Sequence, residues 1–155
     1  MAVARDTLTI QRLGFGGRVV AFCIALGGAT PLAVASMLTP AAAGLGTHQA
    51  LGLPACGWAS MSGVPCPSCG MTTAFAWAVR GDLLSSLIAQ PMGMLLAVVS
   101  AMAVVAGLWA GVTGAQIQRP LGSVLLHRRV GWALLVVFLA SWGWKIWAFK
   151  AGVHP

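Results

Sequence analysis

The chain has 155 residues, 59% of them hydrophobic and 7% charged, with a mean hydropathy of +0.89, a composition that suits a lipid bilayer and not a soluble domain. Its net charge of +7 comes from nine basic residues scattered along the chain against two acidic ones, Asp6 and Asp82. No basic run supports nucleic-acid binding, whereas basic flanks beside apolar stretches serve headgroup contact and topology, so the lipid bilayer is the expected partner.

Met1 to Gly17 carries Arg5, Asp6 and Arg12, and Arg18 opens an apolar stretch from Val19 to Leu38, the first predicted span. Pro40-Ala41-Ala42-Ala43-Gly44 offers small residues at a possible signal-cleavage point. A retained helix is the better reading, because about 20 apolar residues cross a ~30 Å hydrocarbon core while signal h-regions run about 7–15. Cys23 lies inside this span and reads as a packing thiol. Residues 39–70 form a loop rich in Cys and Pro.

Met71 to Gln90 is apolar, but Arg80-Gly81-Asp82 sits at its centre, where each charge would cost about 2.5–3.5 kcal/mol on insertion. Residues 71–90 are therefore predicted to form a pair of short interfacial or shallow re-entrant helices, broken near Gly81. Met92 to Gly114 is the second predicted span and Val130 to Phe149 the third, joined by a basic connection that holds Arg119, His127, Arg128 and Arg129. The expected fold is a single all-α integral membrane domain over residues 1–155, with three transmembrane helices and short amphipathic helices after the cysteine loop.

The positive-inside rule sets Arg5, Arg12, Arg18, Arg119, Arg128 and Arg129 in the cytoplasm against Arg80, Lys145 and Lys150 outside, which puts the N-terminus inside and the cysteine loop outside. Trp142, Trp144 and Trp147 near Lys145 and Lys150 read as an aromatic belt with snorkelling lysines. Ala103, Gly107 and Gly111 recur at four-residue intervals and make a small-residue ridge for close helix packing, either within the protein or against a homo-oligomer or membrane-complex partner.

The chemistry concentrates at Cys56, Cys66 and Cys69. Two thiols separated by two residues suit a metal chelate, a redox dithiol or part of a disulfide set, and an extracytoplasmic location is oxidising. Cys69 stands near a predicted helix start, with Ser68 or Thr72 available as cap, so free N–H groups there are expected to stabilise its thiolate. Pro65 and Pro67 stiffen the approach to Cys66 in extended geometry. His48 is the histidine of the same loop, which would complete a Cys3His set for zinc or copper. Disulfide or packing use ranks first on compartment and spacing, metal binding second and redox catalysis third. With no Glu and the two Asp in separate segments, carboxylate-pair catalysis is excluded, and no residue is assigned a catalytic role.

Cys56, then Ser62-Gly63-Val64-Pro65-Cys66-Pro67-Ser68-Cys69-Gly70-Met71-Thr72-Thr73-Ala74, then Arg80-Gly81-Asp82 and Gln90-Pro91, resembles a bacterial membrane family known as domain of unknown function 2752. That family's usual pattern is Thr-Gly-x-Pro-Cys-Pro-x-Cys-Gly-x-Thr-Arg-Ala, followed by Arg-Gly-Asp and Asn-Pro. Ser62 stands here for Thr, Thr73 for Arg and Gln90 for Asn. The resemblance covers about residues 53–110 and marks Pro65, Pro67, Gly70, Thr72, Arg80, Gly81 and Asp82 as motif positions. It implies a small multi-span protein of a bacterial inner membrane and brings no activity. The expected role is a structural or accessory component with a rigid cysteine loop, possessing two rivals: a zinc or copper protein, and a membrane thiol-disulfide oxidoreductase.

Overall fold

Three long apolar helices define the architecture, and the Cys/Pro segment is folded across one end of them. The computed structural model describes residues 12–115, 128–153 and 155. Expectations for Arg5, Asp6, Arg119 and His127 lie outside the described residues.

Helix α1 runs Phe15–Met37, followed by a short 3-10 helix at Thr47–Leu51. Helices α2 (Gly57–Ser62), α3 (Met71–Ala78) and α4 (Leu83–Ala89) come next, then α5 (Pro91–Thr113) and α6 (Arg128–Ala151). The described residues contain no strand. Helices α1, α5 and α6 are each long and apolar enough to cross a membrane, so the all-α, three-span architecture is as expected. Leu26, Val105, Val112 and Val136 on these helices are exposed, the pattern of a protein whose outward face meets lipid.

Helices α1 and α5 lie antiparallel along their full length. Leu13 N donates to Gly114 O at one end, and Ala35 packs with Ala97 and Phe75 at the other. Small residues permit the close approach: a Cβ on Gly28 would lie 2.8 Å from Ser100 O, and one on Gly107 would lie 2.7 Å from Ala21 O. The ridge of Ala103, Gly107 and Gly111 thus meets α1 of the same chain, with Gly111 against the Phe22 ring. Helix α6 runs antiparallel to α5 and touches it near Ser141, whose Oγ accepts from Met92 N at 2.9 Å and so caps the start of α5. The start of α1 and the end of α5 share one end of the bundle, while the cysteine segment and the C-terminal part of α6 share the other.

The charged centre of residues 71–90 breaks the helix, as its sequence predicts. Gly81 takes φ +81°, and Asp82 starts α4 by accepting from Ser85 N at 2.9 Å and from Ser85 Oγ at 2.7 Å. These bonds hold the Asp82 carboxyl below the ordinary carboxylate range, the backbone bond from Ser85 most of all. Because the folded pKa is depressed, the stabilisation is present above about pH 4 and is lost as pH falls through the folded value. Asp82→Ala should therefore lower the thermal midpoint at neutral pH, and the gap to the native protein should close on acidification. A gap that persists unchanged at low pH would rule out the cap.

Helix α3 departs from a surface-lying position. Thr73, Ala74, Phe75 and Ala76 are buried, and α3 wedges between the last turns of α1 and the first turns of α5. Two of its buried polar groups are paired, Thr73 Oγ1 lying 2.8 Å from Thr47 Oγ1 and Ala74 O accepting from Ser86 Oγ of α4 at 2.7 Å, while Trp77 Nε1 is buried without a partner among the described residues. Only α4 keeps an amphipathic outer face, with Leu83, Leu84 and Leu87 exposed.

Candidate functional site

Cys56 precedes α2 at its N-cap position, while Cys66 and Cys69 lie on the turn that leads into α3. Residues 67–70 form this turn through Cys69 N donating to Cys66 O at 3.0 Å, so the Pro-stiffened stretch bends where extended geometry was expected. The bend folds the two sulfurs onto each other, with Sγ atoms 2.9 Å apart. The Sγ atoms of Cys56, Cys66 and Cys69 all lie within 4.8 Å of one another. Cys23 stands apart, exposed on α1.

Gly70 makes the turn possible. It takes φ +89° as the N-cap of α3, and neither Ser68 nor Thr72 caps the helix through a side chain. A Cβ on Gly70 would lie 2.8 Å from Gly44 O and 3.0 Å from both Ala89 O and Lys145 Nζ. Gly70→Ala should cost about 1–2 kcal/mol for the left-handed backbone alone, and more for the crowding, read as a fall in thermal midpoint. A midpoint matching the native protein would show that the turn has room to relax.

Three side chains from outside the loop clamp it by its own carbonyls. Trp142 Nε1 donates to Pro65 O at 3.1 Å, Gln90 Nε2 donates to Pro67 O at 2.9 Å, and Lys145 Nζ donates to Gly44 O at 2.9 Å and Ala89 O at 2.8 Å. Lys145 is only 4% exposed, so it does not snorkel. Trp142 docks on the loop, and Trp144 Nε1 donates to Ile88 O at 3.3 Å; neither acts as a plain interface anchor. Hydropathy alone could not have found this clamp. The one sequence signal was the charge of Lys145 inside an apolar span.

The two thiols of the turn are driven apart in acidity. Burial pushes Cys69 up to about 12, reinforced by its hydrogen bond to Cys66. Burial also opposes ionisation of Cys66, but hydrogen bonds from Cys69, Ser68 and Cys56 outweigh it and bring Cys66 down to about 7. The acidic thiol is therefore Cys66, and the helix start beside Cys69 does not make Cys69 the thiolate. Once Cys66 has lost its proton, Cys69 remains the donor of the pair.

The three cysteines line a cavity of about 820 Å³ that reaches from the loop to the wall of α1. Leu51, Leu53, Phe75 and Leu96 supply apolar lining, and Gly27 and Pro31 come from the middle of α1. Pro31 cannot donate to the carbonyl of Gly27, and both residues line this space. His48 also lines the cavity, but its Nε2 pairs with Pro54 O at 3.2 Å and its ring stands outside the sulfur cluster. Thr72 lines the cavity as well, while Arg80 Nη1 turns back onto Ala76 O at 2.7 Å, away from the thiols.

The fold and this cluster define a small helical protein with three membrane-length helices and a three-thiol pocket at one end of the bundle. Residues 54–104 match the family model described as "Protein of unknown function (DUF2752)", which places this segment in a family of unknown function. The matched segment contains all three clustered cysteines, Gly70 and the Arg80-Gly81-Asp82 break. No curated protein matches, and no solved structure matches.

Proposed function

We propose that this protein holds a soft metal ion, zinc or copper, through the thiolates of Cys56, Cys66 and Cys69. The observation that carries this reading is the convergence of three sulfurs from two separate turns to within 4.8 Å. A tetrahedral ion with Zn–S bonds of about 2.3 Å sets its sulfurs about 3.8 Å apart, within reach of this cluster. Thiolates select zinc and monovalent copper over hard cations. Three protein ligands leave a fourth position, and the cavity alongside supplies room there for a water or an incoming ligand.

In this reading the clamp of Trp142, Gln90 and Lys145 makes the loop a rigid holder, which also serves an accessory subunit of a membrane complex. The basic residues at the far end of the bundle, Arg12, Arg18, Arg128 and Arg129, support a cytoplasmic placement of that end in a bacterial inner membrane, with the thiol pocket outside. Protein purified in detergent without chelators should carry about one zinc or copper ion per chain, released when the thiols are alkylated. Protein that is metal-free after loading under reducing conditions, with all thiols accessible, would end this reading.

A second reading draws on the 2.9 Å contact and the split acidities of Cys66 and Cys69. An acidic, partly exposed thiol beside a buried one is the arrangement of an exchanging dithiol, with Cys66 the attacking sulfur and Cys69 the resolving one. Cys69→Ser should then trap mixed disulfides at Cys66, and recovery of none from oxidised membranes removes it.

A further inference from the structure

Lys145 brings a formal charge into the buried end of the bundle. The two carbonyls that it donates to engage two of its three N–H groups and leave its charge uncompensated, and a buried ammonium in a low-dielectric setting calls for an anion. The sequence holds only two carboxylate side chains, Asp6 and Asp82. Asp6 lies outside the described residues, and Asp82 has both oxygens committed to Ser85 at the α3–α4 break. What faces Nζ is the cysteine turn: a Cβ on Gly70 would lie 3.0 Å from it, and Gly70 directly follows Cys69, which is itself buried.

We infer that Lys145 is the counter-charge of the cysteine site and fits it to a divalent ion. This rests on the metal-site reading above. Three thiolates around a divalent cation carry one net negative charge, and the single buried ammonium cancels it. A monovalent cation would leave one negative charge in excess. Lys145 therefore acts on the ion through the field at Cys69 without being a ligand, a positioning residue in the outer shell of the site. Sequence places it 76 positions beyond Cys69, on a helix that hydropathy assigns to lipid.

The test compares zinc affinity of the native protein, Lys145→Gln and Lys145→Met, by competition with a chromophoric chelator on reduced protein in detergent. Glutamine keeps hydrogen-bond donors without the charge, and methionine keeps neither. Pro155 Cδ and Lys145 Nζ would lie 3.2 and 3.4 Å from the same Cβ on Gly44, so all forms carry a neutral C-terminal extension that keeps any terminal carboxylate away from the ammonium. Lys150→Gln, on the exposed end of α6, is the control. Both Lys145 variants should lose about tenfold or more in affinity, the scale on which outer-shell partners act, with Lys150→Gln unchanged. If glutamine keeps native affinity while methionine loses it, Lys145 is a hydrogen-bonding strut and the inference is overturned. Native affinity in both variants overturns it equally, as does failure of both to fold, which would make the ammonium a requirement of the fold alone. A native protein that binds no zinc through its thiols overturns the metal site itself, a separate result.

Discussion

Serine at Cys66 or Cys69 should take the protein from about one bound ion per chain to none measurable, because each supplies a ligand that two remaining thiolates cannot replace. Cys56→Ser should do the same, since its sulfur completes the set within 4.8 Å. Cys23→Ser should leave metal content unchanged, as Cys23 sits apart on α1. The affinity should also climb with pH, and the sign follows from the two thiols. Below about 7 Cys66 is protonated in the metal-free protein, and Cys69, at about 12, keeps its proton across the whole physiological range. Binding as thiolates displaces a proton from every ligand that still holds one, and Cys66 adds its own to that number only below about 7, so the rise with pH is steeper on the acid side by one proton. Zinc titrations from about pH 5.5 to about pH 8.5 measure this slope. A flat profile would mean that the ligands are not these thiols, and full metal content in Cys56→Ser would reduce the site to the Cys66/Cys69 pair.

Gly107→Leu should be the most damaging change away from the thiols. A Cβ there would lie 2.7 Å from Ala21 O, 2.9 Å from Ala25 N and 3.0 Å from Ala25 Cβ, so the obstruction is mostly the backbone of α1. No flexible side chain can give way. Relief requires α1 and α5 to separate, and the loss should fall at or above the top of the roughly 1–3 kcal/mol range of overpacked cores. Gly131→Leu is the matched control, since nothing lies within 4 Å of a Cβ at that exposed position on α6. Thermal unfolding in detergent should show a large fall for Gly107→Leu and little change for Gly131→Leu. Equal midpoints would show that the α1–α5 contact does not hold the fold together. Because α1 and α5 also frame the cavity through Gly27, Pro31 and Leu96, metal retention should weaken along with stability.

Much of this molecule was legible in the sequence because its strongest signals are local. Hydrocarbon thickness demands about 20 apolar residues per crossing, and three stretches meet that demand. Charges near the middle of residues 71–90 could not be carried through lipid, and Gly81 gave the chain a way to turn there. The spacing of Cys66 and Cys69, together with Cys56, marked where the chemistry would gather. The four-residue repeat of Ala103, Gly107 and Gly111 marked a close helix contact, though not which helix would fill it.

What tertiary structure decided are matters of distance between residues far apart in the chain. The acidity of the thiols depended on burial and on which sulfur donates to which, so Cys66 became the acidic thiol although local helix geometry favoured Cys69. His48 and the cysteines share a loop, yet its pairing with Pro54 keeps its ring out of the cluster. Lys145 and Trp142 look in sequence like residues of a membrane interface, because a lysine and tryptophans at the end of an apolar stretch ordinarily serve that purpose. Only the packing of α6 against this end of the bundle turns them inward, where they donate to the carbonyls of Gly44 and Pro65 in the loop and of Ala89 at the end of α4.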